Sequence, residues 1–123
     1  MANQENKGIK RLINAAKFSK QGLKAAYTHE EAFRMETIIF FISLPASIFL
    51  CSSLWQMAII WFAGLFLLIV ELLNSAIEAV VDRVGLEKHE LSGRAKDIGS
   101  AAVSLASLGY AILWLVVLYE FFF

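Results

Sequence analysis

A chain of 123 residues with 59% hydrophobic side chains, 18% charged ones and a formal net charge of zero leaves little polar surface for a free-standing soluble domain. It also lacks the basic excess that nucleic-acid binding requires. Its single cysteine, Cys51, excludes an intramolecular disulfide and, in an apolar run, reads as a small packing residue.

The N-terminus is polar and basic before any long apolar run, unlike a cleavable signal peptide. No linker-like stretch or internal repeat divides the sequence, so residues 1–123 read as one domain. Over residues 7–28 the spacing predicts a helix lying on a membrane surface. Ile9, Leu12, Ile13, Ala16, Leu23 and Tyr27 recur at intervals of three, four and seven, while Lys10, Asn14, Lys17, Gln21 and Lys24 follow the opposite face. Such a helix suits a leaflet containing anionic lipids; the alternative is a soluble helix packed on its own chain. Gly22 weakens it by about 1 kcal/mol relative to Ala.

The stretch 37–70 contains no Lys, Arg, Asp or Glu. As one helix it would run roughly 51 Å, too long for a hydrocarbon core of about 30 Å. It must fold back, and Cys51-Ser52-Ser53 is its most polar place to turn. Pro45 lies in the first half, where a spanning helix tolerates a kink if neighbours satisfy the freed carbonyl. A third apolar run, Ile98–Phe123, is interrupted by Glu120 alone. The expected fold is an all-α membrane protein with three transmembrane helices, over about 32–51, 54–82 and 95–121, plus the N-terminal amphipathic surface helix.

Lys7, Lys10, Arg11, Lys17, Lys20, Lys24 and Arg34 precede the first span, and Arg83, Lys88, Arg94 and Lys96 flank the second connection. The positive-inside rule then places the N-terminus and the 83–97 loop in the cytoplasm and the C-terminus outside. Trp55, Trp114, Tyr119, Phe121, Phe122 and Phe123 fall towards the outer interface, where aromatic rings are enriched.

At the end of the second span, Glu71, Asn74, Ser75, Glu78 and Asp82 fall at i, i+3, i+4, i+7 and i+11, on one helical face. Acids at membrane depth are costly and by default mark a site. Glu78 lies about 10 Å beyond Glu71 along the axis, too far for both to grip one ion directly. That separation allows a division of labour between a deep carboxylate meeting lipid and a shallow one meeting something from water. The structural alternative is a buried polar seam that fixes helix partners. Uncompensated acids need cations, for which a divalent metal, Lys96, Arg94 and the basic N-terminal helix are the candidates. A three-helix subunit is also too small to surround such a stripe alone, which favours assembly.

The segment ELLNSAIEAVVDR, followed by HELSGRAKDIGSAA, resembles the small integral-membrane diacylglycerol kinases of bacteria. AAKFSKQGLKAAY and EEAFRME extend the resemblance to roughly residues 9–105, and no Walker-type glycine loop is present. The resemblance implies an ATP-dependent, homotrimeric enzyme of the bacterial inner membrane, with composite sites, that phosphorylates the primary hydroxyl of diacylglycerol to phosphatidic acid. On the matching positions Glu71 is the general base, and Glu30 and Glu78 bind Mg2+ bridging the nucleotide phosphates. The nucleotide side comprises these two acids with Arg11, Phe18, Asn74, Asp82, Glu87, Lys88, His89, Lys96 and Asp97. The lipid side comprises Arg11, Lys24, Tyr27, Arg34, Glu36, Glu71 and Ser100.

A base must come within about 3 Å of the hydroxyl proton, and Glu71 is the best-placed acid. Lys96 and Arg11 on phosphate oxygens would complete the positioning and charge neutralisation that phosphoryl transfer depends on. The surface helix would serve as a doorway for the lipid headgroup. Phe18 stands where members often carry Tyr, which removes a hydroxyl and keeps a ring, and Lys20 stands where an aromatic anchor is common. Taken alone, Glu31, Glu87, Glu90 and Glu120 read as solvated charges and His29 as a surface residue. Gly99, Ala95 and Ala106 with Ser100, Ser104 and Ser107 predict a close-packing face. An undecaprenol kinase of the same superfamily would share the nucleotide half. A cation-pathway subunit would need polar groups along its whole length, and Ala58–Val70 offers none.

Overall fold

The computed structural model describes residues 7–123, and residues 1–6 of the expected single domain lie outside the described residues. Four helices follow in order: α1 (Ile9–His29), α2 (Glu31–Leu50), α3 (Leu54–Val84) and α4 (Glu90–Phe122). The last three are each long and apolar enough to cross a membrane, and no strand occurs among the described residues. The chain is an all-α, multi-pass membrane protein.

The Cys51-Ser52-Ser53 turn is where the sequence predicts it. Ser53 caps α3 by accepting from the Gln56 N–H at 3.2 Å, while Gln56 Oε1 accepts from the Ser52 N–H and hydroxyl at 2.8 and 3.0 Å. This reciprocal capping fixes the reversal in three residues. Gln56 Nε2 then donates to Glu120 at the far end of α4, so Glu120 is tethered rather than simply solvated. Phe49 and Phe121 pack beside this link with ring centroids 5.9 Å apart.

With that end matched, helix lengths decide the rest. α2 has 20 residues, α3 has 31 and α4 has 33. At about 1.5 Å per residue α2 just crosses a hydrocarbon core, whereas α3 and α4 outrun it by roughly 16–20 Å at the opposite end. Glu78 and Asp82, the far part of the acidic stripe, occupy that overhang, and Glu71 lies at its base. α4 begins at Glu90 rather than near 95. His89 caps it, Nδ1 accepting from the Leu91 N–H at 3.1 Å, and Arg94 pairs with Glu90 at 2.8 Å within the first turn. The HELSGRAKD segment is therefore helical and stands beyond the span.

α3 and α4 make the most extensive contact, and α2 packs mainly on α3. Ile60, Leu67, Tyr110 and Val117 form the buried core, with Cys51 packed at its edge as a small residue. Gly64 lets α2 approach, since a Cβ there would lie 2.5 Å from the Phe40 ring and 3.3 Å from Tyr110. Two buried polar links cross between helices. Ser43 Oγ and the Tyr110 hydroxyl lie 2.7 Å apart, and Trp61 Nε1 donates to Ser47 Oγ at 2.7 Å. In an apolar medium such bonds fix which helix faces meet. The expected small-residue face divides: Gly99 and Ala106 pack inwards, whereas Ser100 and Ser104 are exposed, being turned round the helix from Gly99.

α1 buries only Ala26, and Ile9, Leu12 and Ile13 are left uncovered by the described chain. It is not a helix packed along its length on its own protein. Seven-residue spacing places Lys10, Lys17 and Lys24 in one row beside the apolar face rather than opposite it, the arrangement from which lysines snorkel.

Breaking the Ser43–Tyr110 link tests this packing. Ser43→Ala and Tyr110→Phe should each destabilise the folded protein in detergent, with a double-mutant coupling of about 0.6 kcal/mol by reversible unfolding. A coupling near zero would show that the link does not hold α2 to α4.

Candidate functional site

Glu30 alone separates α1 from α2, with extended backbone angles of −110° and 107°. Its N–H closes α1 on the Ala26 carbonyl at 2.8 Å, and its own carbonyl accepts from the Arg34 N–H at 3.1 Å. Arg34 reaches back over this elbow, Nη1 donating to the carbonyls of Tyr27 at 3.0 Å and Thr28 at 3.4 Å. A cation on the last carbonyls of α1 opposes the negative end of that helix and sets the angle at which α2 departs. The guanidinium expected on the lipid side is thus engaged in holding the elbow. Glu30 is left half-buried at the corner.

The stripe on α3 faces this corner. Glu71, Asn74 and Ser75 are 4%, 8% and 8% exposed. Glu30 and Glu78 lie close enough to Glu71 for their charges to act on it, and Glu71 in turn acts on Glu36. Four carboxylates, one from the elbow, one from α2 and two from α3, therefore neighbour one another near the start of α2. The salt bridges among the described residues engage none of them, since Lys96 pairs with Asp82 at 2.6 Å and Arg94 with Glu90. Of the candidate counter-charges, Lys96 serves Asp82 and Arg94 serves its own helix.

Asn74 is built into the scaffold as much as into the site. Its Nδ2 donates to Glu78 Oε1 at 3.2 Å, while a Cβ on Gly99 would collide with its Oδ1. Gly99 thus gives the amide room, and the amide aims the carboxylate of Glu78. That pairing of α3 with α4 is invisible in a single sequence, although both residues stand out in it.

Two hollows and a groove surround the acids. One of about 500 Å3, between the ends of α3 and α4, is lined by Asp82, Glu87, Lys88, His89 and Lys96, which unites five of the residues expected on the nucleotide side. Asp97 is exposed on the neighbouring turn of α4. Arg11 and Phe18 are exposed on α1 and do not line this hollow within one chain; Arg11 lies about 28 Å along the helix from Glu30. A second hollow of about 560 Å3 joins Tyr27 to Thr37, Ile38, Phe41, Ile42 and Pro45, an apolar lane rising along α2. Lys24 is exposed one turn before Tyr27, Glu36 is half-buried, and Ser100 faces outwards beside Gly99. The groove, of about 740 Å3, runs between α1 and α3 and carries His29, Glu30 and Ser75. His29 therefore sits at the site's edge, although nothing in its sequence context singled it out.

Comparison with known proteins decides the family. The sequence profile of the prokaryotic diacylglycerol kinases matches residues 17–118. The chain is 47% identical to a diacylglycerol kinase of Haemophilus influenzae over 107 residues, which covers 87% of this chain and 91% of that one. It is 44% identical to the diacylglycerol kinase of Escherichia coli K12 over 122 residues, covering 99% of each, and 44% identical to that of Pseudomonas aeruginosa over 111 residues, covering 90% of each. The chain belongs to the prokaryotic diacylglycerol kinase family. It is an enzyme, a membrane-embedded lipid kinase, and its acidic overhang is where its chemistry has to be sought.

For this kinase, Gly99→Ala should displace the Asn74 amide and with it Glu78. Circular dichroism should show unchanged helix content, while lipid phosphorylation falls by about 100-fold, the scale of an ångström-sized misplacement. Wild-type turnover in this variant would remove Asn74 from the role of aiming Glu78.

Proposed function

We propose that the chain transfers the γ-phosphoryl group of ATP to the primary hydroxyl of diacylglycerol, giving phosphatidic acid and ADP. The observation that carries this reading is the gathering of Glu30, Glu36, Glu71 and Glu78 at the level where α2 starts and α3 continues past it. A lipid hydroxyl can reach that level without its acyl chains leaving hydrocarbon, and a nucleotide can reach it from water. The curated relatives, 44–47% identical, carry the name diacylglycerol kinase, which favours diacylglycerol over undecaprenol as acceptor.

In this reading Glu71, the most buried of the four carboxylates, accepts the hydroxyl proton as the acceptor oxygen attacks phosphorus. Tyr27 and the apolar lane along α2 guide the lipid, with Lys24, Glu36 and Ser100 at its headgroup. Asp82, Glu87, Lys88, His89 and Lys96 line the nucleotide hollow, where Lys96 would exchange Asp82 for a phosphate. Arg11, Phe18 and Asp97 complete the nucleotide side; Arg11 and Phe18 would come from a neighbouring subunit in a homotrimer, since α1 carries them away from the hollow of their own chain.

Glu30 and Glu78 offer hard carboxylate oxygens outside the salt bridges among the described residues, the donor type that Mg2+ prefers. Two protein carboxylates suit an ion that keeps waters and phosphate oxygens as further ligands. When bound, the ion would neutralise charge on the transferred group. We place the protein in the bacterial inner membrane with the N-terminus and the 85–89 connection cytoplasmic and the C-terminus periplasmic. The structure sets the α1–α2 elbow and that connection at one end of the bundle and the C-terminus at the other.

Purified protein in mixed micelles should phosphorylate diacylglycerol from ATP in preference to undecaprenol. Glu71→Gln should lower kcat by about 1,000-fold with little change in KM for ATP, as loss of a general base would. Glu78→Gln should chiefly raise the Mg2+ concentration needed for half-maximal rate. Transfer to undecaprenol alone would change the acceptor, and transfer to neither would overturn the kinase assignment at this site.

A further inference from the structure

Ser75 lies on α3 between the two acids that bound the chemistry, one turn beyond Glu71 and just under one turn short of Glu78. It is 8% exposed, it lines the groove between α1 and α3, and its Oγ has no hydrogen-bond partner. Buried hydroxyls elsewhere in the chain behave differently. Ser43 Oγ donates to the Phe40 carbonyl at 2.6 Å and Ser47 Oγ to the Leu44 carbonyl at 2.7 Å, each satisfied by its own helix. A buried hydroxyl left unpaired costs about 1–3 kcal/mol, so its presence calls for an explanation.

We propose that Ser75 is a catalytic residue whose hydroxyl donates to a non-bridging oxygen of the phosphoryl group in transit. This rests on the reading of the site as an ATP-dependent lipid kinase. In that transfer a bond forms between the lipid hydroxyl oxygen and phosphorus, and the bond from phosphorus to the β,γ-bridging oxygen breaks. The proton passes to Glu71, and the electron pair of the broken bond leaves with ADP. The acceptor oxygen must lie near Glu71 and the leaving group nearer Glu78, so phosphorus passes at the level of Ser75. Asn74 shares that level, but its amide is committed to Glu78 and wedged at Gly99. Glu30, across the groove, can only repel phosphate oxygens unless a cation intervenes. Ser75 is the donor left free. A neutral donor suits this place because it stabilises charge that shifts during reaction without adding a buried charge of its own.

The test compares Ser75→Ala with wild type in mixed micelles containing diacylglycerol, using ATP and the analogue with sulfur in place of a terminal phosphate oxygen. Ser75→Ala should lower kcat about 100-fold with KM for both substrates nearly unchanged, the effect of removing one donor aimed at developing charge. Sulfur accepts hydrogen bonds poorly, so the wild-type preference for ATP over the analogue should shrink by about 10-fold in the variant, the share of one hydrogen bond. Independently of turnover, ADP with aluminium fluoride, a mimic of the group in transit, should bind the variant about 100-fold more weakly, while ADP alone binds equally to both. An unchanged kcat would overturn the proposal. So would a lower kcat with an unchanged sulfur preference and unchanged binding of the mimic, since that is the signature of lost packing. Wild-type protein that phosphorylates no lipid would instead remove the kinase reading, and the role of Ser75 with it.

Discussion

The mismatch between a 20-residue α2 and its partners of 31 and 33 residues governs the whole arrangement. The turn at 51–53 and the Gln56–Glu120 link align the helices at one end, so the surplus of α3 and α4 has to emerge at the other. An acid at position 71 is thereby held level with the first turn of α2, where hydrocarbon gives way to headgroups, while Glu78 and Asp82 stand in the aqueous overhang. Shortening α3 would draw its polar face into lipid, and lengthening α2 would bury the elbow that carries Glu30. The site exists because the helices are unequal.

The elbow is the second requirement. With a single extended residue between α1 and α2, a surface helix and a spanning helix meet at a sharp corner, and Arg34 stitches that corner by binding the final carbonyls of α1. Without a cation there, those carbonyls would face one another's dipoles at the edge of a low-dielectric medium. One consequence is that Glu30 cannot swing away from α3, because both of its backbone groups are used.

Much of this was legible in the sequence. The absence of charge over 37–70 demanded a reversal, its most polar place to turn was Cys51-Ser52-Ser53, and helical spacing alone aligned Glu71, Asn74, Ser75, Glu78 and Asp82. Less visible were features that depend on which helix faces which. Gly99 reads as one of several small residues until α4 is laid against Asn74, and Glu120 reads as solvated until the C-terminus is brought beside Gln56. The early start of α4 was hidden because GLEKHELSG has the polarity of a loop. Its helix begins there through local hydrogen bonds at His89 and Glu90 rather than through any apolar period. Arg11 and Phe18 mark the limit of a single chain, since neither lines the Asp82–Lys96 hollow within it.

The two ends of the bundle treat buried polar groups in opposite ways. Towards the 51–53 turn they are paired: Ser43 with Tyr110 and Ser47 with Trp61. The buried side-chain atoms left without partners among the described residues are Glu36 Oε2, Asn74 Oδ1 and Ser75 Oγ, all near the start of α2 and the stripe on α3. If polar residues in this protein served only to glue helices together, satisfied and unsatisfied groups should be mixed along the membrane normal. Their segregation separates a region whose hydrogen bonds are spent on holding helices from one whose buried polar atoms are left unpaired. On the proposed reading a lipid kinase needs both: a rigid frame in the hydrocarbon, and at its edge polar groups left free to meet its substrates.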